Sequence, residues 1–144
     1  MRKAEKTSFL SAYNDEGKPN LKVLSASLKQ SGVYFVKDNK DTIVYVGYSE
    51  SNLYKTIYRH FQSWNDKTQR RATFPKSYKV RIIFTTPKRA ALLEKYLISK
   101  FKPKDNDLIP EDLTPKQESQ AREILNDTIL IYNNEDYLDN YNPF

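Results

Sequence analysis

Two runs of β-branched and aromatic residues, Gly32–Lys37 (GVYFVK) and Thr42–Ser49 (TIVYVGYS), stand on either side of the polar turn Asp38-Asn39-Lys40-Asp41. Side chains that crowd a helix but fit a pleated surface, separated by four turn-forming residues, predict a β-hairpin. After the hairpin the period changes. From Asn52 to Trp64 the residues Leu53, Ile57, Phe61 and Trp64 recur at helical spacing and share one face at about 100° per residue. Asn65–Ser77 is polar, basic and broken by Pro75, which predicts a loop, and Tyr78–Thr85 (YKVRIIFT) predicts a third strand. Thr86-Pro87 places a cap ahead of a proline in the first helical position and opens a helix to Phe101, stopped by Lys102-Pro103. Thr114-Pro115, with Gln117 completing a capping box, opens another helix to Asn126. Ser8–Tyr13, Leu21–Leu28 and Thr128–Tyr132 are candidates for further strands.

The 144 residues suit one α/β domain with its own core. With no cysteine and one histidine, thiol nucleophiles, disulfide scaffolds and imidazole-based zinc sites are excluded, so a metal here must be held by oxygens. No apolar stretch reaches about 18 residues and the N-terminus lacks a signal-like run, so the expectation is a cytoplasmic, intracellular protein without a membrane partner. The net charge of +6 is unevenly spread. Residues 28–104 hold 17 Lys or Arg against 5 Asp or Glu, whereas residues 105–144 hold 2 against 10. A basic middle favours a polyanion such as nucleic acid, and the acidic end is expected to pack back or to engage a protein partner.

On the second helix Glu94 falls inside the apolar arc made by Ala90, Leu93, Leu97, Ile98 and Phe101. An uncompensated carboxylate there is costly, so it is paired, metal-bound or functional. On the first helix Lys55, Thr56, Arg59 and His60 read as one flank opposite the apolar arc. Alone, such a flank is as well explained by solvation as by function.

Gly32-Val33-Tyr34, followed after ten residues by Tyr45-Val46-Gly47, resembles the paired signature of the GIY-YIG endonuclease family. The later stretch Leu92–Asn106 (LLEKYLISKFKPKDN) is similar to the segment carrying that family's glutamate and asparagine, as in the nuclease domain of the bacterial nucleotide-excision-repair incision subunit. The resemblance covers residues 29–106. It divides the chain into an N-terminal extension (1–28), a nuclease-like domain (29–106), and a C-terminal helix with an acidic tail (107–144).

The resemblance implies a small, mainly antiparallel three-stranded sheet flanked by helices, and a metal-dependent DNA endonuclease acting on backbone phosphodiesters. It implies a single Mg²⁺ or Mn²⁺ held by Glu94, with water and phosphate oxygens completing the shell. Tyr34 or Tyr45 would take the proton of the attacking water, Arg59 and His60 would face the phosphate, and Asn106 would position the Glu94 loop or the substrate. Lys55, Arg70, Arg71, Lys76 and the backbone at Gly47 would contact the nucleic acid, branched or damaged DNA being one possibility. Two positions depart from the family. Its catalytic arginine is replaced by Thr56, and the residue after the second tripeptide, often lysine, is Tyr48. Arg59, one turn later, is the candidate substitute, and the alternative is a nucleic-acid-binding or assembly protein that keeps the fold without useful cleavage.

Overall fold

The computed structural model describes residues 4–21, 30–61, 73–106 and 110–132. The hairpin forms as β-branched content demands. β3 (Gly32–Lys37) pairs antiparallel with β4 (Ile43–Ser49), following two short strands, β1 (Glu5–Thr7) and β2 (Leu10–Ser11). Its turn is fixed by the Asp38 carboxylate, which accepts from the backbone N–H groups of Lys40 (2.9 Å) and Thr42 (3.0 Å), while Asp41 takes a positive φ of 63°. β5 (Lys79–Phe84) lies antiparallel to β3 on its other side, and a Cβ at Gly32 would run into the Ile83 carbonyl there.

The expected three-stranded sheet is larger. Six strands are ordered β4-β3-β5-β1-β6, with β2 also on β5 and β6 (Ile129–Tyr132) parallel to β1. The physical reason is the free edge of β5, whose backbone groups need partners and find them in the N-terminal segment. That segment is further pinned by Tyr58, whose hydroxyl donates to the Ala12 carbonyl (2.7 Å) and accepts from the N–H groups of Asn20 and Leu21.

Helices cover both faces. α1 (Leu53–Arg59), capped by Asn52, buries Leu53 and Ile57 against Tyr34, Val36 and Ile82. α2 (Pro87–Phe101), capped by Thr86 and ended by Lys102 in the left-handed region, buries Ala90, Leu93 and Leu97 against Val33, Phe35, Val46 and Ile83. α3 (Pro115–Asn126) has the full capping box between Thr114 and Gln117 and packs on α2 through Ala121, Ile124 and Leu125. Strand alternation therefore divides the core into an α1 face and an α2 face. Among the described residues no helix is long and apolar enough to cross a membrane. Trp64, Arg70 and Arg71, nearly all of the Leu21–Leu28 run and the tail from Asn133 lie outside the described residues.

Candidate active site

The β3–β4 register sets Tyr34 opposite Gly47 and Val36 opposite Tyr45, which puts both signature tyrosines on the α1 face. Their rings lie 6.1 Å apart. Gly47 is glycine for a steric reason, because a Cβ there would run into the Tyr34 ring and hydroxyl. Tyr34 thus lies flat across β4, is 2% exposed, and shares a 2.7 Å hydrogen bond with His60 Nε2. The sequence groups His60 with Lys55, Thr56 and Arg59 on a flank opposite the apolar arc. His60 is instead buried as the C-cap of α1, with ring contacts to Tyr45 at 4.8 Å and Phe74 at 5.4 Å. Tyr45 is half-buried, so it is the signature tyrosine with a route to solvent.

Thr56, at the position where the family resemblance places arginine, is occupied locally. Its hydroxyl lies 2.9 Å from the Asn52 carbonyl and 3.1 Å from the Ser49 hydroxyl. Arg59 and Lys55 are exposed on α1. Lys76 is also exposed, its ammonium 4.9 Å from the centre of the Tyr13 ring.

Glu94 stands on α2, on the other side of the sheet. Burial raises its carboxyl to about 7, and among the described residues it has neither an ion pair nor a hydrogen bond. Its electrostatic neighbour is Tyr48, which points to the α2 face of β4. Burial raises the Tyr48 phenol, reinforced by the charges of Glu50 and Glu94 and by a hydrogen bond to Glu50. Sequence marks Tyr48 only as a departure from the family pattern and does not single out Glu50. Asn106 binds the backbone of β4 between them. Its side-chain oxygen accepts from Val46 N–H (3.0 Å) and its amide donates to the Val46 carbonyl (2.9 Å), mimicking a neighbouring strand on the outer edge of β4. It fixes the strand between Tyr45 and Gly47 and contacts neither Glu94 nor a solvent-facing ligand position by these bonds.

The site is therefore built around edge strand β4, with tyrosines and His60 on one side and Glu94 on the other. A metal fits the donor chemistry. Glu94 is a partly desolvated carboxylate without a compensating cation, and a hard divalent ion with mostly water and phosphate ligands needs no more from the protein. No cluster of three or more His, Cys, Asp or Glu exists among the described residues.

Residues 30–107 match the family model of the GIY-YIG catalytic domain. The chain is 36% identical over 103 residues to UvrABC system protein C of Bacteroides thetaiotaomicron, a stretch covering 69% of this chain and 17% of that protein. It is 37% identical over 87 residues to the protein of the same name from Clostridioides difficile, covering 59% and 14%, and 36% identical over 94 residues to that of Desulfotalea psychrophila, covering 63% and 15%. The chain thus spans less than a fifth of the length of each of these relatives.

Proposed function

This chain belongs to the GIY-YIG family, and from that premise we propose that it is a metal-dependent endonuclease hydrolysing phosphodiester bonds in DNA. The observation carrying this reading is the uncompensated Glu94 carboxylate across β4 from a half-buried Tyr45 that is ordered by the Tyr34–His60 pair. Mg²⁺ or Mn²⁺ on Glu94 would supply Lewis-acid stabilisation of the phosphate charge.

The protein's own groups divide the remaining work. Tyr34 is almost fully buried with its hydroxyl engaged by His60, so it orients rather than reacts. Tyr45 takes the proton from the attacking water, a task for which a phenol with ordinary pKa near about 10 needs charge stabilisation nearby. His60 packs on Tyr45 and holds it through ring contact. Arg59, at the end of α1, offers the cation that Thr56 cannot, and Lys55, Lys76, Arg70 and Arg71 bind the backbone phosphates. Asn106 holds the outer edge of β4 at Val46, between Tyr45 and Gly47.

A second reading has an observation of its own. Both positions where the family resemblance places cations hold neutral side chains with internal partners, Thr56 with Ser49 and Asn52, and Tyr48 with Glu50. That favours a DNA-binding or assembly protein with little turnover. Incubating supercoiled, linear and branched DNA with the protein and Mg²⁺ or Mn²⁺ separates the two. Cleavage by the wild type and none by Glu94→Ala supports the nuclease; binding without cleavage on every substrate supports the second reading.

A further inference from the structure

Cations gather around an apolar hollow on the α2 face, away from the two tyrosines. The hollow has a volume of about 250 Å³ and its walls include Phe9, Phe35, Leu97 and Phe101, with Lys6, Arg81 and Lys100 at its margin. Among the described residues no acidic side chain lines it. Phe101 is 46% exposed, an unusual state for phenylalanine on a helix that buries its neighbours Leu97 and Ile98.

Arg81 is the residue that asks for a ligand. It leaves β5 between the buried Val80 and Ile82, is half-buried, and donates from Nε to the Thr7 carbonyl at 2.8 Å. Its guanidinium lies 5.2 Å from the centre of the Phe9 ring, with the Lys37 ammonium 4.5 Å from the same ring. Among the described residues no carboxylate forms an ion pair with Arg81, and burial holds its pKa below the usual value. A desolvated guanidinium without a counter-charge is costly, and a planar donor fork suits a phosphate.

The two halves of the hollow set the chemistry of its occupant. An apolar ligand would leave Arg81 uncompensated, and a bare anion would leave the phenylalanine walls without a partner. The volume is just under the roughly 300 to 1,000 Å³ of ordinary ligand pockets, a size for one ring system with its attachment. A flat aromatic ring carrying a phosphate meets all three conditions. The hollow also lies on the path from the carboxylate, because Phe101 is seven residues beyond Glu94 on α2, on the same stripe and about 10 Å along the axis. That is roughly three stacked nucleotide steps at 3.4 Å each. Lys6, Phe9, Leu125 and Thr128, which all line the hollow, lie outside the 30–107 segment that matches the family model, so the hollow is a joint product of that segment and its extensions.

We propose that the hollow receives one unstacked nucleotide of the DNA strand, its base against Phe9 and Phe101 and its phosphate at Arg81, which makes DNA with an extrahelical nucleotide the preferred substrate class. The inference rests on the reading of DNA as substrate and extends it to a shape of DNA.

The test compares two duplexes of the same sequence, one fully paired and one with a single 2-aminopurine bulge, bound in EDTA so that no cleavage intervenes. The expected result is a preference of about tenfold for the bulged duplex, the scale of one base–aromatic stack. Phe101→Ala and Arg81→Gln should each remove that preference while changing affinity for the paired duplex less than about twofold. Phe101 is exposed, so its variant should fold and decides the matter alone if circular dichroism shows Arg81→Gln to be unfolded. Equal affinity for the two duplexes, or a preference that survives Phe101→Ala, overturns the proposal. Adding Mg²⁺ or Mn²⁺ separates this from the nuclease reading. A bulge preference without cleavage of either duplex overturns the nuclease and leaves the hollow, whereas equal cleavage without preference overturns the hollow alone.

Discussion

The two faces of the sheet treat their polar groups in opposite ways. On the α1 face Tyr34 meets His60, Tyr58 closes three hydrogen bonds onto the N-terminal segment, and Thr56 meets Ser49 and Asn52. On the α2 face Glu94 and Arg81 are both half-buried, and neither has an opposite charge among the described residues. Desolvated ions are costly unless paired, so a fold that leaves two of them uncompensated on one side is poised for ligands there. The α1 face supplies a rigid scaffold of rings. Catalysis on this reading needs both, because the base is ordered on one side of β4 and the charge that draws a metal lies on the other.

The largest expected effect removes the α2 side alone. Glu94→Ala should lower metal-dependent cleavage by about 10³ or more, because one carboxylate anchors the ion, with DNA affinity in EDTA nearly unchanged. Single-turnover cleavage beside a binding titration reads both. Equal nicking by variant and wild type would place the chemistry elsewhere and dissolve the comparison.

The next effect attacks the scaffold. Gly47→Val puts branched carbons where the Tyr34 ring lies, and the ring cannot retreat without giving up His60. A loss of about 3 kcal/mol is expected from urea unfolding, at the upper end for overpacking. A variant as stable as the wild type would mean that the α1 face is looser than its contacts imply.

Arg59→Ala probes whether the α1 side also supplies a cation to the chemistry. Cleavage should fall by about 10², the scale for one charge stabiliser in the transition state. Thr56→Arg should partly restore it in the double variant, although it must first give up the Ser49 and Asn52 contacts. If Arg59→Ala is silent and Thr56→Arg alone switches on cleavage, the natural chain is a disabled nuclease and the second functional reading prevails.

What the sequence made legible follows the range of the interactions involved. β3 has the expected bounds, and α2 and α3 begin at their Thr-Pro signals, because propensity, turns and caps are decided within a few residues. The two residues of β2 fall inside the candidate strand Ser8–Tyr13, whereas β1, three residues long, carries no period of its own and exists by pairing with β5, which sequence periodicity cannot register. Tyr58 was missed for the same reason, since its partner Ala12 is 46 residues away. His60 was misplaced by grouping it with Lys55 and Arg59, although at about 100° per residue it falls beside Leu53 and belongs to the buried side. Glu94 stood out because a carboxylate inside an apolar stripe is a local contradiction. Arg81 gives no such signal, because on β5 it alternates with Val80 and Ile82, which face the other side, and its hollow needs Phe9 and Leu125 from outside the core segment.

The smallest effect is the most direct measure of the imbalance between the faces. Burial raises the Glu94 carboxyl from its ordinary value of 4.5 to about 7 in the folded protein. The folded chain therefore holds a proton that the unfolded chain releases over that interval. Stability from this group is full below about pH 4.5, is lost as pH rises through about 7, and stays low above it. Glu94→Gln imitates the protonated side chain and has no such dependence. In EDTA the two proteins should unfold at similar temperatures near pH 5, and the variant should be more stable by a few degrees near pH 8.5, a modest gap because the side chain is only partly buried. Mg²⁺ or Mn²⁺ should narrow that gap by stabilising the wild type only, since the ion supplies the missing positive charge. A gap that stays constant across pH would mean that a neighbouring cation already compensates Glu94, and the contrast between a satisfied face and a charged one would fail at its clearest residue.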